Sequence, residues 1–206
     1  TTDAHEGTQN FRFINVDDTI LQGTTIKIDY LLTALNVGET DYTSEVINNM
    51  YKTAKLKNGI RIVCENIDYV RSASIGVWIG AGSAMEGTEN NGVSHYIEHM
   101  LFKGTKTRSA RQIAEVMDSV GGQLNAVTSK EYTCFYAKTL TQHLGMAIEI
   151  LSDMLKNSTF TEENIETERR VISEEISMGE DDPEDYVHDC LSGILWNGES
   201  LGFPIG

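Results

Sequence analysis

The string His95-Tyr96-Ile97-Glu98-His99 constrains this chain most, because an H-x-x-E-H spacing brings its side chains together only on a helix. Positions i, i+3 and i+4 of a helix stand one above another, so two imidazoles and a carboxylate share one face. Neutral imidazole nitrogens bind Zn²⁺ well, and two of them leave room for a third protein ligand and a water. Glu98, one residue from His99, is placed to reach that water rather than the ion and to take a proton from it. The same five residues are also compatible with two ordinary histidines that happen to be spaced this way, so the rest of the chain has to decide.

A chain of 206 residues buries a real core, and it is large for one domain and small for two. Its formal net charge of −15 argues against nucleic acid, whose binders carry basic patches, and against anionic membranes. No stretch is long and apolar enough to span a bilayer, and no signal-peptide pattern opens the chain. The first residue is Thr1 rather than Met, which is compatible with a segment removed upstream. Cys64, Cys134 and Cys190 are odd in number, far apart and outside any C-x-x-C pattern. That speaks against a disulfide framework or a cysteine zinc site, and for a reducing compartment.

Residues 1–50 read as an N-terminal extension of unknown role. Phe11 to Val16 and Thr24 to Tyr30 are β-patterned, and Leu31, Leu32 and Leu35 precede a polar stretch through Asn49. Strands are predicted over Tyr51 to Leu56 and Ile60 to Glu65, around Lys57-Asn58-Gly59, where Asn-Gly tolerates positive φ. A third strand is predicted over Ala73 to Gly80, then a Gly-rich loop over Ala81 to Gly92. Ser94 is the expected N-cap of the helix that carries His95 to His99 and runs on through Phe102. Ser109 and Gln112 form a capping-box pattern ahead of Ile113, Val116, Met117 and Val120, with Gly121 as the stop. Gln123 to Thr128 and Tyr132 to Leu140 read as an antiparallel pair. Helical periodicity marks His143 to Leu155, Glu162 to Met178 with Thr161 as cap, and Pro183 to Trp196 with Pro183 at the first position. Strands and helices mix without regular βαβ alternation, so the fold class is α+β, a mostly antiparallel sheet packed with helices.

A zinc site on His95 and His99 needs a third ligand, and a carboxylate suits Zn²⁺. The helix over Glu162 to Met178 offers Glu162, Glu163, Glu166, Glu168, Glu174 and Glu175. Two turns of helix return to nearly the same face, which favours the pair Glu168 and Glu175. Val171, Ile172 and Ile176 suggest that this part of the helix is partly buried, and a buried carboxylate needs a partner such as a cation.

Further strings surround the motif. Asn91-Gly92-Val93-Ser94 leads into it and Met100-Leu101-Phe102-Lys103-Gly104-Thr105 leaves it; Gly121-Gly122-Gln123-Leu124-Asn125-Ala126, Glu131-Tyr132-Thr133 and the Glu168 to Glu175 helix follow. With these in order, residues 51–206 resemble the N-terminal catalytic domain of the M16 zinc metallopeptidases, the inverzincins, and are similar to bacterial members related to the mitochondrial processing peptidase β-subunit. The resemblance implies the metallohydrolase fold of the processing peptidases, also described as LuxS-like. It implies one Zn²⁺ per chain on His95, His99 and Glu175, Glu98 as general base, and Glu168 as a supporting catalytic-site glutamate. It also implies that Leu124, Asn125, Ala126, Val127 and Thr128 form an edge strand that takes an extended peptide by main-chain pairing.

By the same resemblance a second M16 domain or subunit completes the substrate site, and the chain stops before the family's first domain has ended. The expected partner is a peptide, with basic peptides the class that Glu180, Asp181, Asp182, Glu184 and Asp185 would attract. The expected compartment is the bacterial cytoplasm, with the mitochondrial matrix as the alternative. Two other readings stay open: a non-catalytic subunit of an M16 complex, although such subunits typically lose the motif, and a small-molecule enzyme of the S-ribosylhomocysteine lyase type.

Overall fold

A computed structural model describes residues 42–46, 51–56, 58–65, 67 and 69–206. The runs Phe11 to Val16 and Thr24 to Tyr30 lie outside the described residues. In chain order the elements are β1 (Tyr42–Val46), β2 (Tyr51–Leu56), β3 (Arg61–Glu65), β4 (Ser72–Ile79), α1 (Val93–Leu101), α2 (Ala110–Asp118), β5 (Gln123–Thr128), β6 (Thr133–Leu140), α3 (Leu144–Asn157), α4 (Glu162–Asp181) and α5 (Pro183–Leu195). This is an α+β fold, with the strands in two three-stranded sheets ordered β1-β2-β3 and β4-β6-β5.

The chain divides into two compact units. One holds the described residues up to Val77 with Gln112–Asn125 and Tyr136–Lys156; the other holds Trp78–Arg111, Ala126–Phe135 and Asn157–Gly206.

In the first unit, β2 and β3 form the expected hairpin, antiparallel with Lys55 opposite Arg61. Gly59 supplies φ +92° at its tip, and Asn58 Oδ1 accepts the Ile60 N–H at 3.1 Å, the side-chain turn contact for which Asn is suited. Ala54, Leu56, Ile62 and Cys64 are buried, so both strands alternate toward the core. β1 pairs antiparallel with β2 within the stretch read as merely polar, Tyr42 opposite Leu56. α3 buries Leu144, Ala147, Ile148, Leu151 and Met154, the three-and-four spacing of a core-facing stripe. α2 ends as expected at Gly121 (φ +63°), whose N–H reaches the Asp118 carbonyl at 3.0 Å.

In the second unit, Ser129 and Tyr132 close the turn between β5 and β6 with a 2.8 Å N–H to carbonyl bond, and a turn this short makes neighbouring strands antiparallel. The loop expected over Ala81 to Gly92 contains a short 3₁₀ turn, Ser83–Met85, docked on that connection: Ala84 N–H donates to the Lys130 carbonyl at 2.7 Å. Gly82 is required there, because a Cβ would stand 2.2 Å from the Ser129 carbonyl oxygen. Thr161 caps α4 by accepting from the Asn164 N–H at 3.3 Å. Asp182 caps α5, accepting the Glu184 N–H at 2.9 Å, with Pro183 in the first helical position. Glu180 to Asp185 therefore sit where a helix ends and another begins, and capping and the dipole of α5 account for several of these charges.

None of the three cysteines is in a disulfide; Cys64 and Cys134 are buried and Cys190 is exposed. Burial pushes the Cys134 thiol up to about 12. No helix among the described residues is long and apolar enough to cross a membrane.

Candidate metal centre

α1 does not start on a serine cap. Its N-cap is Gly92 at φ +88°, and Ser94 lies inside the first turn. Glu86 takes the capping role from outside the helix: its Oε2 accepts the Gly92 N–H at 2.6 Å and its Oε1 the Ser94 N–H at 2.7 Å. A carboxylate here satisfies donors that a helix start leaves orphaned and faces the positive end of the helix dipole. Glu86 is 6% exposed. Burial alone would raise its pKa, yet hydrogen bonds from the Ser94 side chain and backbone, the Gly92 backbone and the Asn91 side chain hold it below the usual carboxylate value. The far end of α1 is anchored by Met100 and Leu101, both buried.

Between these ends, His95 and His99 face α4. Tyr96 donates its hydroxyl to the Ile165 carbonyl of α4. His95 Nε2 and His99 Nε2 are 3.2 Å apart, and the Glu175 carboxylate spans both, at 3.8 Å from His95 Nε2 and 3.3 Å from His99 Nε2. All three donor atoms lie within 4.8 Å of one another. Two zinc ligands at about 2.05 Å and a tetrahedral angle stand roughly 3.3 Å apart, so the donor set fits that ion. The ion would offset the Glu175 charge and give both facing lone pairs a partner.

Glu168, one face-repeat earlier on α4, stays out of this cluster. Its side chain is 3% exposed, with Oε2 3.2 Å from His99 Nδ1 and Oε1 2.6 Å from Lys103 Nζ. The two histidines differ here: His95 Nδ1 is buried without a hydrogen-bond partner.

Of the apolar residues expected to bury this part of α4, Ile172 alone is buried; Val171 is 43% and Ile176 38% exposed. Val171 and Ile172 flank the Glu168–Glu175 line on opposite sides of the helix, Ile176 lies further round, and only Ile172 is covered.

Glu98 is held apart from the three donors, its Oε2 accepting from the Thr128 hydroxyl at the end of β5. β5 is the terminal strand of its sheet, and Leu124, Ala126 and Thr128 are half-buried while Asn125 and Val127 are exposed. Glu86, Lys103 and Tyr96 are the site residues that motif reading passes over, as is the contact of Thr128 with Glu98. Only a partner distant in sequence gives each its place.

Two helix-borne histidines and a glutamate from a second helix make a metal-ligand set, with Glu98 beside the second histidine and bonded to Thr128. The chain belongs to the insulinase family, peptidase family M16, whose model matches residues 61–206. It is similar to an uncharacterized zinc protease of Bacillus subtilis, 55% identical over 156 residues, covering 76% of this chain and 38% of that one. It is also similar to an uncharacterized zinc protease of Streptomyces coelicolor, 48% identical over 150 residues, 73% of this chain and 33% of that one. Among solved structures it resembles a protease from Helicobacter pylori, with TM-score 0.72 and 25% identity over 76% of this chain and 38% of that one. The chain thus spans between a third and two-fifths of the length of these relatives.

Proposed function

We propose that this chain is the zinc-binding part of an endopeptidase, with His95, His99 and Glu175 holding one Zn²⁺ and Glu98 acting as general base. The observation that carries the reading is the separation of roles: three donors converge within 4.8 Å, while Glu98, the carboxylate of the motif, is tied to Thr128 instead. The chemistry the ion supplies when bound is acidification of a water and polarisation of a peptide carbonyl. Glu98 takes the proton of that water and returns it to the departing amine. Glu168 orients His99 through Nδ1, as outer partners of metal-bound histidines do.

β5 receives the substrate. As the terminal strand of its sheet among the described residues, it would present main-chain donors and acceptors of Leu124, Asn125, Ala126, Val127 and Thr128 to an extended peptide. A second M16 domain or subunit closes the site, a reading supported by relatives of which the matched part is only 38% and 33%.

Zinc content and peptide hydrolysis, measured on the chain alone and with the remaining length of a relative supplied, test this reading. Zinc at one per chain, with hydrolysis on complementation, is expected. Glu98→Gln should keep the zinc and lose on the order of 10²-fold or more in turnover; hydrolysis at the parent rate would exclude Glu98 as the base.

A further inference from the structure

Lys103 lies just beyond the end of α1 and reaches α4 twice. Its carbonyl accepts from Asn164 Nδ2 at 3.3 Å, and its ammonium stands 2.6 Å from Glu168 Oε1. Asn164 and Glu168 are four residues apart on one helix, so both contacts fall on the same face of α4. The lysine is thereby held at backbone and side chain against one stripe.

The consequence falls on Glu168. A carboxylate side chain that is 3% exposed needs both oxygens engaged and its charge partnered. Lys103 takes Oε1, which turns Oε2 toward His99 Nδ1 at 3.2 Å. An oxygen in that place accepts a proton on Nδ1 and so selects the tautomer whose Nε2 lone pair faces His95 Nε2 and Glu175. Lys103 itself touches none of the three donors.

We propose that Lys103 is a positioning residue for the metal centre. Acting through Glu168, it fixes the ring orientation and tautomer of His99. The proposal rests on the reading of His95, His99 and Glu175 as zinc ligands for its consequence, but its first effect, on the His99 ring, exists without any metal.

The test therefore uses two readouts on the full chain. In the metal-free protein, ¹⁵N chemical shifts of the His99 ring report the tautomer. In the loaded protein, chelator competition gives zinc affinity, and the visible spectrum of the Co²⁺ form reports ligand geometry. The expected result for Lys103→Met is a mixed His99 tautomer, an altered Co²⁺ spectrum and about tenfold weaker zinc binding, the lower end for an outer partner. Lys103→Arg restores all three, because the guanidinium can take the same carboxylate oxygen.

A Lys103→Met protein with the parent tautomer and the parent zinc affinity overturns the proposal. If that variant does not fold, Lys103→Gln against Lys103→Arg decides: equal tautomer populations in these two overturn it, and a mixed tautomer in the glutamine variant only supports it. A parent chain that binds no zinc but holds a single His99 tautomer, lost in Lys103→Met, would reject the metal reading and leave the role of Lys103 standing.

Discussion

Glu86 shows how much of this centre depends on a single side chain outside the motif. Its two oxygens hold the Gly92 and Ser94 N–H groups at the start of the helix that carries both histidines. Its pKa is lower in the folded protein than in the unfolded chain. The stabilisation is therefore fully present above the unfolded carboxylate value of about 4.3 and is lost as pH falls through the lower, folded value. Glu86→Gln should cost about 1–2 kcal/mol at pH 7, since the amide turns a donor toward a backbone N–H. Urea unfolding of both proteins at pH 7 and at pH 3 checks this: the gap should narrow on acidification, and a gap of constant size would reject the charge-based account. Ser94 satisfied the local rule for a cap, and no spacing rule could reveal a carboxylate eight residues upstream of Ser94, brought there by the chain's path.

Among the elements, what the sequence made legible is what local periodicity and punctuation control. The Asn58-Gly59 hairpin, the Gly121 stop, Thr161 as cap and Pro183 at a helix start all stand where turn and cap chemistry put them. β1 escaped because a five-residue strand with Thr43, Ser44 and Glu45 has no apolar alternation; its pairing with β2 is a main-chain matter. On α4 the seven-residue spacing put Glu168 and Glu175 on one face but could not give their depth, 3% against 55% exposed, because depth depends on what covers each turn. The Ser83–Met85 turn was hidden in a Gly-rich stretch, and its docking yields a sharp comparison. Gly82 has an extended φ of −160°, open to any residue, so Gly82→Ala is penalised only by close contact with the Ser129 and Lys130 carbonyls and the Tyr132 nitrogen, at roughly 1–3 kcal/mol. Gly80→Ala, with nothing within 4 Å of the added carbon, is the matched control and should be close to neutral. Equal urea midpoints for the two variants would contradict the docking.

For the whole molecule, the family strings that surround the motif carry more weight than the motif, since the family match runs over residues 61–206 while the five residues alone were ambiguous. A ligand that binds only the folded chain stabilises it by mass action, about 2.7 kcal/mol at a hundred times its Kd. Zinc should accordingly raise the melting temperature of this chain and lose that effect in His95→Ala, read by thermal unfolding with and without chelator; an equal rise in the variant would place the ion elsewhere. The three proposed donors would not hold such an ion alike. His95 and His99 are 14% and 20% exposed beneath the α1–α4 contact, whereas Glu175 has 55% of its side chain in solvent. A surface carboxylate changes rotamer in picoseconds to nanoseconds, while the two more buried rings have less room to turn. The swing of that one side chain would open the ion to a competing ligand, so a chelator should strip the native protein at a rate indifferent to low urea. Occupancy would then track the free metal around the protein at each moment instead of being sealed in when the chain folds.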